Sequence, residues 1–355
     1  MTGGVERHCE ELYPRIVARG AEVIVYARDR YVPRDLSWNG VDVVSLPAPR
    51  GGSTEAITHT FRALMAARAW HPDIVHIHSI GPASMAGVAR MLGMRVVFTA
   101  HAADYRQSKW GAAASTFLCF GEAVGMRSAS EVISVSRHYG DYLADRYGRS
   151  VTVIPNGPSG VEPAEPGRTL AAFGLTPGRY ALFVGRLAPD KRVEDAIAAC
   201  TGDVAVPLVI VGGPTEGTAY ADRLRAATAA GPVVFTGDRF GAELAELYSS
   251  AGVFVLPSAA EGLSMSLLEA MAYGVPCIAS DIPGNRELLD DGALGALVPV
   301  GDVDGLAAAI AAALAMDSGE RAILAGRLRA EVARSYDWES VADRTLEVYR
   351  RVMST

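Results

Sequence analysis

The stretch Val253–Asp281, VFVLPSAAEGLSMSLLEAMAYGVPCIASD, restricts the fold more than any other part of this chain. Val253–Pro257 predicts a buried strand, because a short apolar run closed by a turn residue offers no polar face to water. Ala270–Ala272 continue a helix that Gly274 and Pro276 should end, and Val275–Ser280 predicts a second strand. Strand, turn, helix and strand make one βαβ unit of a parallel sheet. Two carboxylates punctuate it, Glu261 in the turn and Glu269 on the helix. In such sheets ligands gather at the carboxyl ends of the strands, which is where Glu261 falls.

The same grammar runs along the chain. Strands are expected at AEVIVYAR (21–28), Val41–Pro47, Asp73–His78, Arg95–Thr99, Glu131–Val135 and Val151–Ile154. After them come Tyr180–Gly185, Pro207–Gly212, Val233–Gly237, Val253–Pro257, Val275–Ser280 and Gly295–Val298. Helices fit between, among them Ala56–Trp70, Ala83–Leu92, Ala112–Ser128, Arg137–Tyr147, Arg192–Cys200, Asp302–Met316 and Trp338–Met353. Alternation of this kind predicts an α/β chain with parallel sheets. At 355 residues it is too long for one ordinary core. The turn-rich cluster Pro155–Gly160 is the best linker, dividing a domain over 1–157 from one over 161–337.

The start is irregular. GGVERHCEELYPRIVARG predicts a glycine turn and then a helix with no strand before it, whereas a doubly wound domain opens on a strand. That strand would be central, so its loss would leave two unpaired edges. Either the native start lies upstream or the first domain is remodelled; an intact mass of the native protein equal to this sequence's would remove the first option.

Charge and cysteine usage exclude some functions. The net charge of −7 argues against nucleic acid. Residues 1–157 carry 17 Lys+Arg against 14 Asp+Glu, and the remainder 16 against 26, so a weak contact between the first half and a membrane or an anionic acceptor stays open. Cys9, Cys119, Cys200 and Cys277 show no metal-like spacing, which fits reduced thiols and a cytoplasmic setting. No signal-peptide pattern is read at the start, and the longest apolar run, Gly305–Met316, falls short of the ~20 residues a bilayer span needs.

Three groups of residues could carry chemistry. In FVGRLAPDKR (183–192) a strand ends at Gly185, Arg186 emerges beside it and Lys191 precedes the next helix. A planar guanidinium, a compact ammonium and a helix N-terminus together suit a diphosphate, although two solvated cations would look the same. Glu261 and Glu269 suit sugar and ribose hydroxyls, and the backbone amides of Leu263, Ser264 and Met265 form an uncapped first turn facing the ligand edge. The competing reading makes Ser266-x-x-Glu269 a capping box and Glu261 a solvated loop acid. A glycosidase pair is rejected, because a hydrolase has no use for a phosphate clamp.

The third group is FTAHAADY (98–105), where His101 follows a buried strand and Asp104 lies three residues on. His76 and His78 sit inside an apolar strand and read as structural. The triplet His76, His78 and His101 lacks an acidic or thiolate partner, so no metal site is expected. The G-x-G-x-x-G fingerprint of a nicotinamide enzyme is missing from the start of a βαβ unit.

GGVERH, TAHAAD, IPNG, VGRLAPDK, the Glu-x7-Glu block, GNRELLDDG and the helix after YDW together resemble the retaining glycosyltransferases of family 4. The resemblance implies the GT-B fold, two facing Rossmann-like domains with an interdomain cleft, and a C-terminal helix (about 338–355) packed back on the first domain. ARDRYVPRDLSWNGVDVVSLPAPR and KWG also resemble a bacterial subgroup of rhamnosyltransferase-like and cell-surface-polysaccharide enzymes. By position the family would give Arg186 and Lys191 to the diphosphate, Glu269 to the ribose and Glu261 to the donor sugar. Gly4 would lie near the phosphate and His101 by the reacting centre, with Asp104 and Tyr105 towards the acceptor. It implies a nucleotide-sugar co-substrate, a front-face reaction and no metal or other cofactor. Ser264 stands where many relatives have glycine. Alternatives of the same fold are a nucleotide-sugar epimerase, a phosphorylase or a non-catalytic nucleotide-sugar binder.

Overall fold

A computed structural model describes residues 3–32, 36–49, 52–103, 105, 111–202, 206–214, 219–228 and 232–354. The chain divides into two compact units: Thr2–Asn156 together with Trp338–Thr355, and Gly157–Asp337.

The second unit is a six-stranded sheet, parallel throughout. Its strands are β8 (Ala181–Val184), β9 (Leu208–Val211), β10 (Val233–Gly237), β11 (Val253–Leu256), β12 (Cys277–Ser280) and β13 (Ala296–Val298). They run in the order β10-β9-β8-β11-β12-β13. β9, β11 and β12 are buried at every position, which is why they read as unbroken apolar runs. Strand order reverses between β8 and β11, so the loops after these two strands diverge and leave a crevice at their carboxyl ends. Arg186, Lys191 and Glu261 all lie on those two loops.

In the first unit the sheet is in two pieces. β1 (Ile24–Arg28) pairs in parallel with β3 (Val41–Leu46), and the antiparallel β2 (Leu36–Trp38) closes the far side. Separately, β4 (Val75–His78), β5 (Val96–Ala100), β6 (Glu131–Ser134) and β7 (Thr152–Val153) form a parallel sheet. Among the described residues neither β1 nor β4 has a strand on its outer side. The effect on burial is plain: β1 is half-exposed at every residue, while β5 is buried at every residue. Two strand edges without a neighbour were expected from the sequence, and β1 and β4 are such edges among the described residues.

β2 was not anticipated, although a signal for it was present. Asn39 (φ 48°) and Gly40 (φ 82°) both take positive φ, as a two-residue hairpin turn requires. The helix expected over 83–92 is instead two pieces, Ile80–Ala83 and Ala86–Met91. Phe98, Met126, Ile80 and Leu143 centre the core of this unit. The amphipathic C-terminal helix Trp338–Met353 packs on the first helix, Gly4–Ala18, burying Val341, Thr345, Val348 and Val352. Arg15 and Arg19 of the first helix pair with Glu339, and Arg19 also with Asp343. No described helix is long and apolar enough to cross a membrane.

Candidate active site

After β8 the chain runs through Gly185 and Arg186 into a single 3-10 turn, Pro189–Lys191, before the helix Val193–Thr201. Two contacts fix that turn against the β11 loop. The Asp190 carbonyl accepts from the Ala259 amide at 2.8 Å. Lys191 Nζ donates to Glu261 Oε1 at 2.6 Å, with only 14% and 9% of the two side chains exposed. Such a pair is mostly desolvated, so removing one member would strand the other's charge.

Glycine permits two close approaches here. A Cβ on Gly284 would stand 2.6 Å from the Gly262 carbonyl oxygen, so only glycine lets the helix Pro283–Leu288 support the Glu261 loop. Gly212 (φ +128°) lies where a Cβ would come within 2.0 Å of the Gly185 carbonyl, which brings the ends of β8 and β9 together.

Arg186 is half-buried, with no hydrogen-bond or ion-pair partner among the described residues. The helix Met265–Tyr273 is capped by Ser264, whose Oγ accepts from the Leu267 amide at 3.4 Å. Ser266 therefore lies inside the helix, and the capping-box reading of Ser266 and Glu269 is overturned. The amides of Leu263, Ser264 and Met265 have no acceptor among the described residues. Glu269 is buried within this helix, its Oε2 accepting the Tyr248 hydroxyl at 3.0 Å. Burial first, and the Glu269 charge second, hold the Tyr248 phenol well above its ordinary range. Tyr248 in turn stacks on Tyr273 with ring centroids 5.1 Å apart. The chain's one Asp-x-Asp string begins at Asp302, which caps the helix Val303–Ala315 by accepting from the Gly305 amide at 2.9 Å.

The remaining residues singled out in the sequence belong to the first unit. Gly4 is the exposed first residue of its helix. Tyr105 shares a hydrogen bond with the Tyr142 hydroxyl at 3.0 Å, and Asp104 lies outside the described residues. His101 follows β5, its Nε2 3.1 Å from His78 Nδ1. His78 Nε2 meets the Tyr13 hydroxyl at 2.6 Å, and His76 bridges Tyr349 and Thr99 at 2.7 Å each. His76 and His78 are thus engaged in a part-buried polar network, as structural histidines are.

His8 was not anticipated as part of this group. It shares a helix face with Leu12 and Ile16, four and eight residues on, and that spacing placed it inside. Its ring packs edge-on against His101, centroids 5.0 Å apart, and its Nδ1 bonds Asn156 Oδ1 at 2.7 Å. Burial lowers His8 to about 4, against the opposing pull of Asn156, and lowers His76 to about 3. His78 and His101 are also held well below the ordinary histidine range, chiefly by burial. All four imidazoles are neutral at pH 7.

Arg186, Lys191 and Glu261 thus lie on the two loops at the switch point of a parallel sheet, where ligands of such sheets bind. Comparison with known proteins makes the class specific. A family profile described as Glycosyltransferase Family 4 matches residues 2–158, and one described as Glycosyl transferases group 1 matches 178–316. The alpha-maltose-1-phosphate synthase of Mycobacterium tuberculosis is 33% identical over 341 residues, covering 86% of each chain. The GDP-mannose-dependent alpha-mannosyltransferase of the same organism is 31% identical over 98% of this chain and 93% of its own. Among solved structures, the sucrose-phosphate synthase of Thermosynechococcus elongatus superposes with a TM-score of 0.86 at 24% identity, covering 99% and 94% of the two chains. Anabaena Alr3699/HepE in complex with UDP-glucose gives 0.81 at 19%, covering 99% and 97%. The chain belongs to glycosyltransferase family 4; it is an enzyme of the GT-B fold.

Proposed function

We propose that this enzyme moves a hexosyl unit from a nucleoside-diphosphate sugar, with UDP-sugars favoured, to a hydroxyl acceptor with retention at the anomeric carbon. One observation carries the reading. The Lys191–Glu261 pair, 2.6 Å apart, joins the loops after β8 and β11 at the carboxyl end of a parallel sheet, and the same two loops carry Arg186 and the amides of Leu263, Ser264 and Met265, which have no partner among the described residues. Arg186 and Lys191 would hold the diphosphate, Glu261 the donor sugar and the buried Glu269 the ribose hydroxyls. Gly4 and His101 would serve from the first unit. The bond from the anomeric carbon to the diphosphate breaks while the bond to the acceptor oxygen forms on the same face. The acceptor's proton passes to the departing diphosphate, whose growing charge the two cations stabilise. No step calls on a metal. Acceptors in scope are a small molecule, a glycan or a lipid-linked glycan. A peripheral membrane contact has only the basic first half in its favour.

The relatives' names divide on the donor, since one relative is GDP-mannose-dependent and one structural neighbour holds UDP-glucose. A thermal-shift screen of UDP-, GDP-, ADP- and dTDP-sugars separates them, because a bound ligand raises apparent stability by RT ln(1 + [L]/Kd). A shift with UDP-sugars above the other three supports the reading, and a larger one with GDP-mannose would transfer it to a guanosine donor. Product analysis with and without acceptor distinguishes transfer from epimerisation, in which the donor alone changes.

A further inference from the structure

His8 presents an unusual combination: a side chain 3% exposed whose Nε2 has no hydrogen-bond partner among the described residues. A buried ring nitrogen without a partner costs about 1–3 kcal/mol unless something fills the place. What it shares its surroundings with is chemically specific. One ring nitrogen from each of His8, His78 and His101 lies within 4.8 Å of the other two.

We propose that His8, His78 and His101 form a three-imidazole site for a late first-row divalent cation, Zn²⁺ above all. Zinc bound to imidazole nitrogens at ~2.0–2.1 Å in tetrahedral geometry sets its ligand atoms roughly 3.4 Å apart. His78 Nδ1 and His101 Nε2 are already 3.1 Å apart, so one edge of the tetrahedron is built. A ring nitrogen of His8, within 4.8 Å of both, supplies the third corner.

The outer contacts suit the same purpose. Asn156 Oδ1 accepts from His8 Nδ1, which fixes the proton there and leaves the Nε2 lone pair for a ligand bond. Tyr13 meets His78 at Nε2, so that Nδ1 is the nitrogen turned towards His101. A ring nitrogen anchored to a polar partner while its twin is free is how metal-binding histidines are usually oriented. Neutral imidazoles need give up no charge to bind. His78 and His101 are partly exposed, so the fourth position is open to water or a ligand. Metal content is measured apart from turnover, so this inference and the transferase reading fail separately.

The test uses the full chain without an affinity tag, stripped with EDTA and dialysed. Co²⁺ is added at pH 7.5 while the visible spectrum is followed, and Zn²⁺ then competes it off. Expected are one equivalent of Co²⁺, the intense d–d bands of a four-coordinate site, and displacement by one equivalent of Zn²⁺. His8→Ala should weaken binding at least tenfold, and Asn156→Ala about tenfold through loss of the outer contact. Absence of a cobalt band at tenfold molar excess in the wild-type chain would overturn the site. So would equal binding in wild type and His8→Ala. Should His8→Ala not fold, the wild-type stoichiometry and the Asn156→Ala titration decide.

Discussion

Lys191 and Glu261 neutralise each other across 2.6 Å, and in the proposed reaction Lys191 would hold the diphosphate and Glu261 the donor sugar. Lys191→Ala should lower kcat by roughly 10²–10³, the usual cost of removing one group that stabilises departing charge. Because it also leaves the Glu261 carboxylate buried and unpaired, a melting curve must accompany the rate. A variant that melts at or near the wild-type temperature yet turns over normally would contradict the clamp. Glu269→Ala is expected to reduce the donor-induced thermal shift by several degrees. Its own stability should fall as well, since Tyr248 loses its buried acceptor. A full wild-type donor shift in a folded Glu269→Ala chain would remove Glu269 from the donor site.

Among the elements, the Glu261 loop depends on support from behind. Gly284→Ala places a methyl against the Gly262 carbonyl, so the loop must move and carry the carboxylate with it. The expected outcome is a rise in KM for the donor of about tenfold, read from initial rates, together with a lower melting temperature, since the methyl meets backbone at a buried position. An unchanged KM would mean that the loop position is not critical. A second element-scale dependence is Glu246, whose carboxylate accepts from the Gly167, Thr169 and Leu170 amides and caps the helix Arg168–Phe173. Burial alone would raise its pKa; those amide hydrogen bonds prevail and lower it. Glu246→Ala should cost about 2–4 kcal/mol in denaturant unfolding, the tariff for several buried amides left unsatisfied.

For the whole molecule, the buried imidazoles set the acid limit. His8 and His76 stay neutral in the folded chain, whereas unfolded histidine takes a proton near 6.5. Unfolding therefore binds protons, and stability is full above pH 6.5. It falls as pH drops from 6.5 towards about 4, where His8 itself protonates in the fold. The loss from His8 alone is about 3 kcal/mol. Urea midpoints measured in EDTA at pH 7.5, 6, 5 and 4.5 should decline steadily. A flat profile over that window would mean that these rings are solvated.

Sequence alone determined the α/β class, the position of nearly every strand and the loops that carry Arg186, Lys191 and Glu261. Period-2 and period-3.6 patterns and turn residues are local signals, and each acts within a few residues. β1 and β4 end their sheets among the described residues, as the helical reading of residues 3–20 led one to expect. Tertiary structure alone decided which residues meet. Lys191 reaches Glu261 across 70 residues of chain because β8 and β11 are adjacent at the point where strand order reverses. Likewise His8 and Asn156 meet across 148 residues, and no spacing rule spans that separation. The place of His8 among the histidines was invisible from the sequence because a contact between distant segments is created by packing, and packing is settled only when the whole core closes.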